Sequence, residues 1–319
     1  MLIPVAVLGA TIACILIIAE LVTRATYGKH LEYGVAGDTG WELKPSQRGF
    51  AVPGRANATI NSSGFRGREG FPSAGRYRIL LVGDSFAFGY GVGDNETLSF
   101  FLEQKLNSDF GKDVEVLNFG VPGYGVYQMD ALVRKRVDEY APDMVVMEMV
   151  KWDVFRQPEQ IRRSRFLVGK VRGTLLRKSS LAAVVMPRLE MRRRAWHDAI
   201  MGKSTWADEK FRGLWACDSL RINELHKFLR PRNIGLVFVP YISHERAKDF
   251  AEFVEKDLDR EIVIVDGIYE RLKEYSIAQK EKYIHNAFLR IEGDGHPTAT
   301  SYRIVAGAIA ETLIREKLI

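Results

Sequence analysis

A short apolar run that ends in Gly-Asp-Ser constrains the fold of this chain more than any other stretch. In Arg78-Ile-Leu-Leu-Val-Gly-Asp-Ser85, the residues from Ile79 to Val82 are uninterruptedly apolar. Bounded by turn residues, such a run reads as a strand buried on both faces. Gly83-Asp84-Ser85 then marks a tight turn, and Phe86-Ala-Phe-Gly89 begins the next segment. A serine placed there has its hydroxyl in the crevice at the strand's carboxyl end, where open α/β sheets bind their ligands. If a helix starts at this point, its first backbone N–H groups are free to meet an anion. The same residues also make an ordinary helix cap, because Asp and Ser are common N-caps.

From Arg78 onward the pattern alternates. Thr97 to Leu106 carries apolar residues at helical spacing, and Val114 to Phe119 is a second apolar strand. Val126 to Tyr140 reads as a helix, Met144 to Val150 as a third strand, Ser219 to Leu229 as a helix and Ile234 to Pro240 as a fourth strand. Glu261 to Val265 reads as a fifth, and Pro297 to Leu318 as a closing helix with proline at its start. Strands alternating with helices predict a three-layer α/β/α sandwich around a mostly parallel five-stranded sheet. A chain of 319 residues with 46% hydrophobic content can bury such a core.

The N-terminus predicts an additional element. Leu2 to Ala19 is uncharged and largely apolar, and the run extends past Glu20 to Val22, long enough to cross a bilayer as a helix. No basic region precedes it and no small-x-small cleavage site follows it, which favours a retained anchor over a removed signal peptide. Arg24 and Lys29 follow the segment, a weak charge signal for a cytoplasmic body. The expected organisation is an anchor over 1–23, a connector or strap over 24–75 with little regular structure, and one domain over 76–319. Within the strap, Phe65 is expected to pack across the domain and Arg66 to serve as a structural ion-pair partner.

Charge and cysteine content exclude some functions. Net charge is +6, but the stretch from Arg162 to Arg194 alone holds eleven Lys/Arg against Glu190, so the rest of the chain is mildly acidic. This stretch lies in an expected helical insert over about 155–215. It fits a solvated helical face with snorkelling side chains, a membrane-surface face, or a groove for an anionic polysaccharide. No zinc spacing, recognition-helix pattern or aromatic RNA-binding motif is present, so no nucleic-acid partner is expected. Cys14 and Cys217 make no disulfide framework. No Asp/Glu/His/Cys grouping suggests a metal, and no cofactor is implied.

Four polar spots fall at strand ends or before the last helix: Gly83-Asp84-Ser85, Asn118 to Gly125, Lys151-Trp152-Asp153 and Gly293-Asp-Gly-His-Pro297. With these residues the sequence resembles the SGNH/GDSL hydrolase superfamily over roughly Asn61 to Glu311, including the Gly-Phe-Arg of the strap and the Phe-Gly-Tyr-Gly after Ser85. The resemblance implies a flavodoxin-like sandwich with Ser85 as nucleophile. It implies an Asn-x-Gly-x-x-Gly turn whose Gly123 donates an oxyanion-hole N–H, and an Asp-x-His block supplying Asp294 and His296. It also places the insert as helices over the sheet, between the third and fourth strands. One block departs. Where the family has Gly-x-Asn-Asp, with an oxyanion donor on the Asn, this chain has Val150-Lys151-Trp152-Asp153. Losing such a donor costs about a hundred- to a thousandfold in turnover. Lys151 or Trp152 supplies the third donor, two donors suffice for a slow site, or the protein has lost catalysis.

The residue chemistry supports acyl transfer beside the resemblance. A serine hydroxyl needs a base to accept its proton, and a histidine oriented by a carboxylate is such a base. His296 is preferred over His197, His226, His244 and His285, whose charged or helical settings suggest surface positions; His30 lies beside the anchor. Negative charge on the attacked carbonyl would be met by the N–H groups of Ser85 and Gly123. The expected activity is hydrolysis of an O-acyl ester, such as acetyl on a carbohydrate, through an acyl-enzyme. The family also contains O-acetyltransferases of exported polysaccharides, and a non-catalytic glycan-binding or assembly protein is a third class. The resemblance favours an extracytoplasmic, periplasm-facing domain on a single membrane pass. Oligomeric state is not legible.

Overall fold

The computed structural model describes residues 2–51, 55–69, 73, 75–156, 158, 179–181, 185, 207–241, 254–278 and 295–319. Helix α1 (Leu2–Tyr27) leads into two antiparallel hairpins, β1 (Tyr33–Ala36) with β2 (Gly40–Leu43) and β3 (Gln47–Phe50) with β4 (Asn57–Ile60). There follow β5 (Tyr77–Gly83), α2 (Ser85–Phe88), α3 (Leu98–Ser108), β6 (Val114–Gly120), α4 (Val126–Tyr140) and β7 (Met144–Met149). After the insert come α5 (Ala207–Leu229), β8 (Gly235–Pro240), β9 (Val263–Ile264), α6 (Ile268–Ala278) and α7 (Ala299–Arg315).

The five later strands form one sheet in the order β6-β5-β7-β8-β9, and every pairing is parallel. This is the doubly wound 2-1-3-4-5 order, with its switch point between β5 and β7. The period of two along each strand divides the core. Leu80 and Val82 pack under α4 and α5, with Leu132, Val133, Ile222 and Leu225. Ile79 and Leu81 pack under α3, α6 and α7, with Leu102, Leu272, Val305 and Ile309. Residues pointing to both faces are apolar because both faces are covered. The sandwich therefore has three layers, as its strand and helix pattern predicts.

The structure differs from the sequence expectation in several places. The stretch expected to hold little regular structure carries four strands. Their pairing is local, and the segments are too short and glycine-rich for periodicity to reveal them. Phe65 does pack across the domain, stacked on Phe119 at 4.5 Å between ring centroids. Arg66 is a structural partner: 3% exposed, it pairs with Asp94 and donates to the Phe88, Gly89 and Val92 carbonyls. The fifth strand shortens to two residues, and α5 begins well before Ser219. His226 is buried rather than on the surface, facing Asp259 and Glu261. Most of the basic insert, including Phe166, Leu167, Leu175 and Leu176, lies outside the described residues.

Helix α1 contains a segment, Ala6–Tyr27, long and apolar enough to cross a membrane. Its apolar side chains, among them Leu8, Ile15, Ile18 and Leu21, are about 60% exposed, so it is no core helix of this domain.

The close approach of β6 to α2 gives a stability test. A Cβ on Gly120 would lie 2.2 Å from the Phe88 backbone nitrogen and 2.6 Å from the Ala87 carbonyl carbon. Backbone cannot yield as a side-chain tip can. Gly120→Ala is expected to destabilise the domain by about 1–3 kcal/mol, the usual cost of overpacking, measured as a lowered urea midpoint.

Candidate active site

The site is built at the carboxyl end of β5. The strand stops at Gly83 and the chain turns at once into α2, a single helical turn that cannot satisfy its own backbone groups. Its neighbours do so instead. Asp84 is the N-cap, its carboxylate accepting from Phe86 N–H at 2.8 Å. Glu148 on β7 accepts the Ala87 N–H at 3.1 Å. Asn118 on β6 donates to the Ala87 carbonyl at 3.0 Å. Arg66 closes the other end through the Phe88 carbonyl. Ser85, the first residue of this turn, is 8% exposed.

His296 stands on the loop before α7, whose N-cap Thr298 accepts from Ser301 N–H at 3.3 Å. The buried face of α7, with Tyr302, Val305, Ala306 and Ile309, locks this helix onto α3 and the sheet and so sets where the loop ends. The imidazole Nε2 lies 2.9 Å from Ser85 Oγ, although 211 positions separate the two residues. Tyr90 and Phe86 flank the imidazole at ring-centroid distances of 4.5 and 5.5 Å. Of the sequence-predicted site residues, the structure thus brings Ser85 and His296 together. Asp294 lies outside the described residues, as do the side chains of Lys151 and Trp152.

The Gly123 turn follows β6, and its Val121 N–H donates to the Gly83 carbonyl at the end of β5 at 3.1 Å. Arg156 Nη1 donates to the Tyr124 carbonyl at 2.6 Å and to Asp84 Oδ2 at 3.1 Å, tying this turn to the residue beside Ser85. Ser85 Oγ donates to the same Asp84 oxygen at 3.2 Å. The backbone N–H groups of Ser85 and Gly123 have no acceptor among the described residues. The Ser85 N–H adjoins its own hydroxyl and the Gly123 N–H lies on the turn that Arg156 ties to Asp84; an unpaired backbone N–H is a donor of the kind that stabilises an oxyanion.

Beneath the serine is a polar layer that the sequence reading missed. Asp84, Glu148 and Asp153 are each at most 1% exposed. Asp153 accepts from Val150 N–H at 2.9 Å and pairs with Arg156 at 2.7 Å. One guanidinium cannot balance three buried carboxylates, so protons must be retained. Burial, followed by the Asp84 and Asp153 charges, pushes Glu148 well above the carboxylate range. Burial and Asp84 push Asp153 up as well, against the pull of Arg156. Glu148 Oε1 and the Tyr302 hydroxyl, both buried, lack a hydrogen-bond partner among the described residues. Glu148 was detectable in principle as an acid inside the apolar run Met144-Val-Val-Met-Glu-Met149. Arg156 carried no local signal and fell at the margin of the expected insert.

No family model and no curated protein matches this chain. Among solved structures it is similar to an acetylxylan esterase from Geobacillus stearothermophilus, solved as a catalytic mutant, at 17% identity, covering 76% of this chain and 95% of that one, with a TM-score of 0.44. It is also similar to a psychrotrophic esterase from Pseudoalteromonas sp. at 12% identity, covering 76% of this chain and 100% of that one, TM-score 0.44. A lipolytic protein of the G-D-S-L family from Veillonella parvula DSM 2008 aligns at 12% identity, over 75% of this chain and 98% of that one, TM-score 0.41. At these identities and scores the likenesses assign no activity, and the chemistry rests on the geometry of the site.

The retained protons make stability depend on pH. The unfolded chain releases the Glu148 proton near its ordinary value of about 4.5, while the folded chain keeps it. This contribution is therefore complete below about pH 4.5 and declines as pH rises toward the folded value, by up to about 1.4 kcal/mol per pH unit. Glu148→Gln imitates the neutral acid and cannot titrate. Urea midpoints measured from pH 5 to 8 are expected to fall less steeply in this variant than in the wild type.

Proposed function

We propose that this chain is a serine-type acyl ester hydrolase. Ser85 Oγ attacks the ester carbonyl as its proton passes to His296 Nε2. The oxyanion that forms is met by the N–H groups of Ser85 and Gly123, with a third donor from Lys151 or Trp152. Asp294, two residues before the histidine, orients the imidazole and stabilises its charged form. Collapse expels the alcohol, which takes the proton from His296, and leaves an acyl-Ser85 ester. Water then attacks that ester with His296 again as base, releasing the carboxylic acid and restoring the serine.

The single observation that carries this reading is the 2.9 Å contact between His296 Nε2 and Ser85 Oγ. The unpaired N–H groups of Ser85 and Gly123 support the oxyanion role. The substrate class we assign is an O-acyl ester, with acetyl on a carbohydrate as the leading form. A sugar hydroxyl competes with water for the same acyl-enzyme, so acetyl transfer to a polysaccharide is the alternative outcome. We assign α1 to the bilayer as a single pass and the domain to the extracytoplasmic face.

Hydrolysis of 4-nitrophenyl acetate tests the chemistry. Ser85→Ala and His296→Ala are each expected to lower kcat/KM by about a thousandfold or more, because the residues of such a unit fail together. Equal rates in wild type and Ser85→Ala would overturn the proposal. Of Lys151→Ala and Trp152→Phe, the one that removes the third donor is expected to lower kcat by about a hundredfold. An acetylated oligosaccharide formed on adding a glycan acceptor identifies the transferase outcome. A periplasm-active reporter fused after Ile319 is expected to be active, and an inactive one would reverse the orientation.

A further inference from the structure

The anchor helix and the nucleophile turn are joined without slack. α1 ends at Gly28, whose N–H returns to the Arg24 carbonyl at 2.9 Å. The chain then enters the domain at once: the Lys29 carbonyl accepts from Phe50 N–H at 2.8 Å, and Leu31 N–H donates to the Phe50 carbonyl at 3.0 Å. Gly49 permits this contact, since a Cβ there would lie 2.5 Å from the Lys29 carbonyl oxygen. The ring of Tyr27, the last helical residue, meets Phe50 edge-on at 6.4 Å. Leu31 is buried with Leu43, Ala58, Ile60 and Phe88. Phe88 closes the single turn that Ser85 opens.

A second, independent clasp grips the same helix end. The Glu20 carboxylate accepts from Ser179 Oγ at 2.7 Å and from the N–H groups of Ser180 and Leu181 at 2.9 Å each. Ser180 Oγ donates to the Gly28 carbonyl at 3.1 Å. The last two turns of α1 thus meet two separate segments of the chain, the strap and residues 179–181 of the insert, and Thr23 within them is 8% exposed.

Chain lengths bound the result. Tyr27 and Leu31 are four positions apart, at most about 14 Å of chain, and one helical turn of about 5 Å separates Phe88 from Ser85. With the Leu31–Phe88 contact between them, the serine is held within about 30 Å of the end of the anchor. A freely diffusing substrate would reach a site on a loose tether equally well. A fixed height above the bilayer matters when the other reactant is confined to the same plane, where the shared surface raises its effective concentration.

We propose that the substrate is itself membrane-attached: an acyl ester on a lipid-linked molecule in the bilayer that holds α1. This rests on the acyl-ester reading of Ser85 and narrows it. The bond chemistry is unchanged. Water supplies the hydroxyl of the released acid, and the lipid-linked alcohol regains a proton through His296.

The test uses the full chain reconstituted in phosphatidylcholine–phosphatidylglycerol vesicles with two probes. One is soluble 4-methylumbelliferyl acetate; the other is the same acetyl ester tethered to a phosphatidylethanolamine headgroup. Wild type is expected to cleave the tethered ester at least about tenfold faster when it shares the enzyme's vesicles than when it sits in separate ones. A Gly/Ser spacer of about twenty residues between Tyr27 and Gly28, with a reach of about 25 Å, is expected to lower that preference several-fold while leaving the soluble rate unchanged. Equal rates in shared and separate vesicles, or a spacer without effect on the preference, would overturn the proposal. If the spacer variant also loses the soluble rate, the shared-against-separate comparison in wild type decides alone. A soluble ester cleaved no faster by wild type than by Ser85→Ala refutes the acyl-ester reading itself, a distinguishable failure.

Discussion

Helix α2 is one turn long, and a single turn forms too few internal hydrogen bonds to hold its shape. It exists because side chains from four directions complete its backbone. Asp84 caps the start, Glu148 takes an N–H from the middle, Asn118 and Arg66 supply donors to the carbonyls at the end. Gly120 lets β6 press directly against it. The position of Ser85 is therefore set by β5, β6, β7 and the strap together. A displacement of any one of them moves the hydroxyl relative to His296.

The same constraint brings carboxyl groups under the site. Glu148 must be close to bond Ala87 N–H, Asp84 must be close to cap the turn, and Asp153 caps its own turn after β7. Three acids in one low-dielectric layer repel one another, and Arg156 offsets only part of that charge. Proton retention follows from this crowding. The layer is in turn coupled to the Gly123 turn, because Arg156 also binds the Tyr124 carbonyl. The charge balance under the serine and the placement of the unpaired Gly123 N–H are one network.

The strap links that network to α1. Its first hairpin packs on the Gly123 turn, with Trp41 Nε1 donating to the Pro122 carbonyl at 3.2 Å and Tyr124 donating to the Trp41 carbonyl at 2.6 Å. Its second hairpin carries Phe50 and Gly49, which receive the chain leaving α1. Residues between α1 and the sandwich thus pack on the Gly123 turn rather than forming a loose tether.

Local physics was legible in the sequence. Continuous apolar runs between turn residues marked the buried strands, helical spacing marked α3 and α4, and the length of the first apolar segment marked α1 as able to span a bilayer. Asp and Ser after a strand marked a capped turn with its hydroxyl in the crevice at the strand's carboxyl end. These signals are short-range, because strand burial, helix amphipathicity and capping depend on residues within a few positions of each other. The hairpins of the strap escaped notice since each strand is four residues long. Only the tertiary structure decided that His296 reaches Ser85, that Glu148 and Arg156 lie in contact with the Ser85 turn, and that α1 is seated without slack. Each of these joins residues tens to hundreds of positions apart. Such contacts are fixed by how whole helices and sheets pack, and no pattern within a single element encodes that.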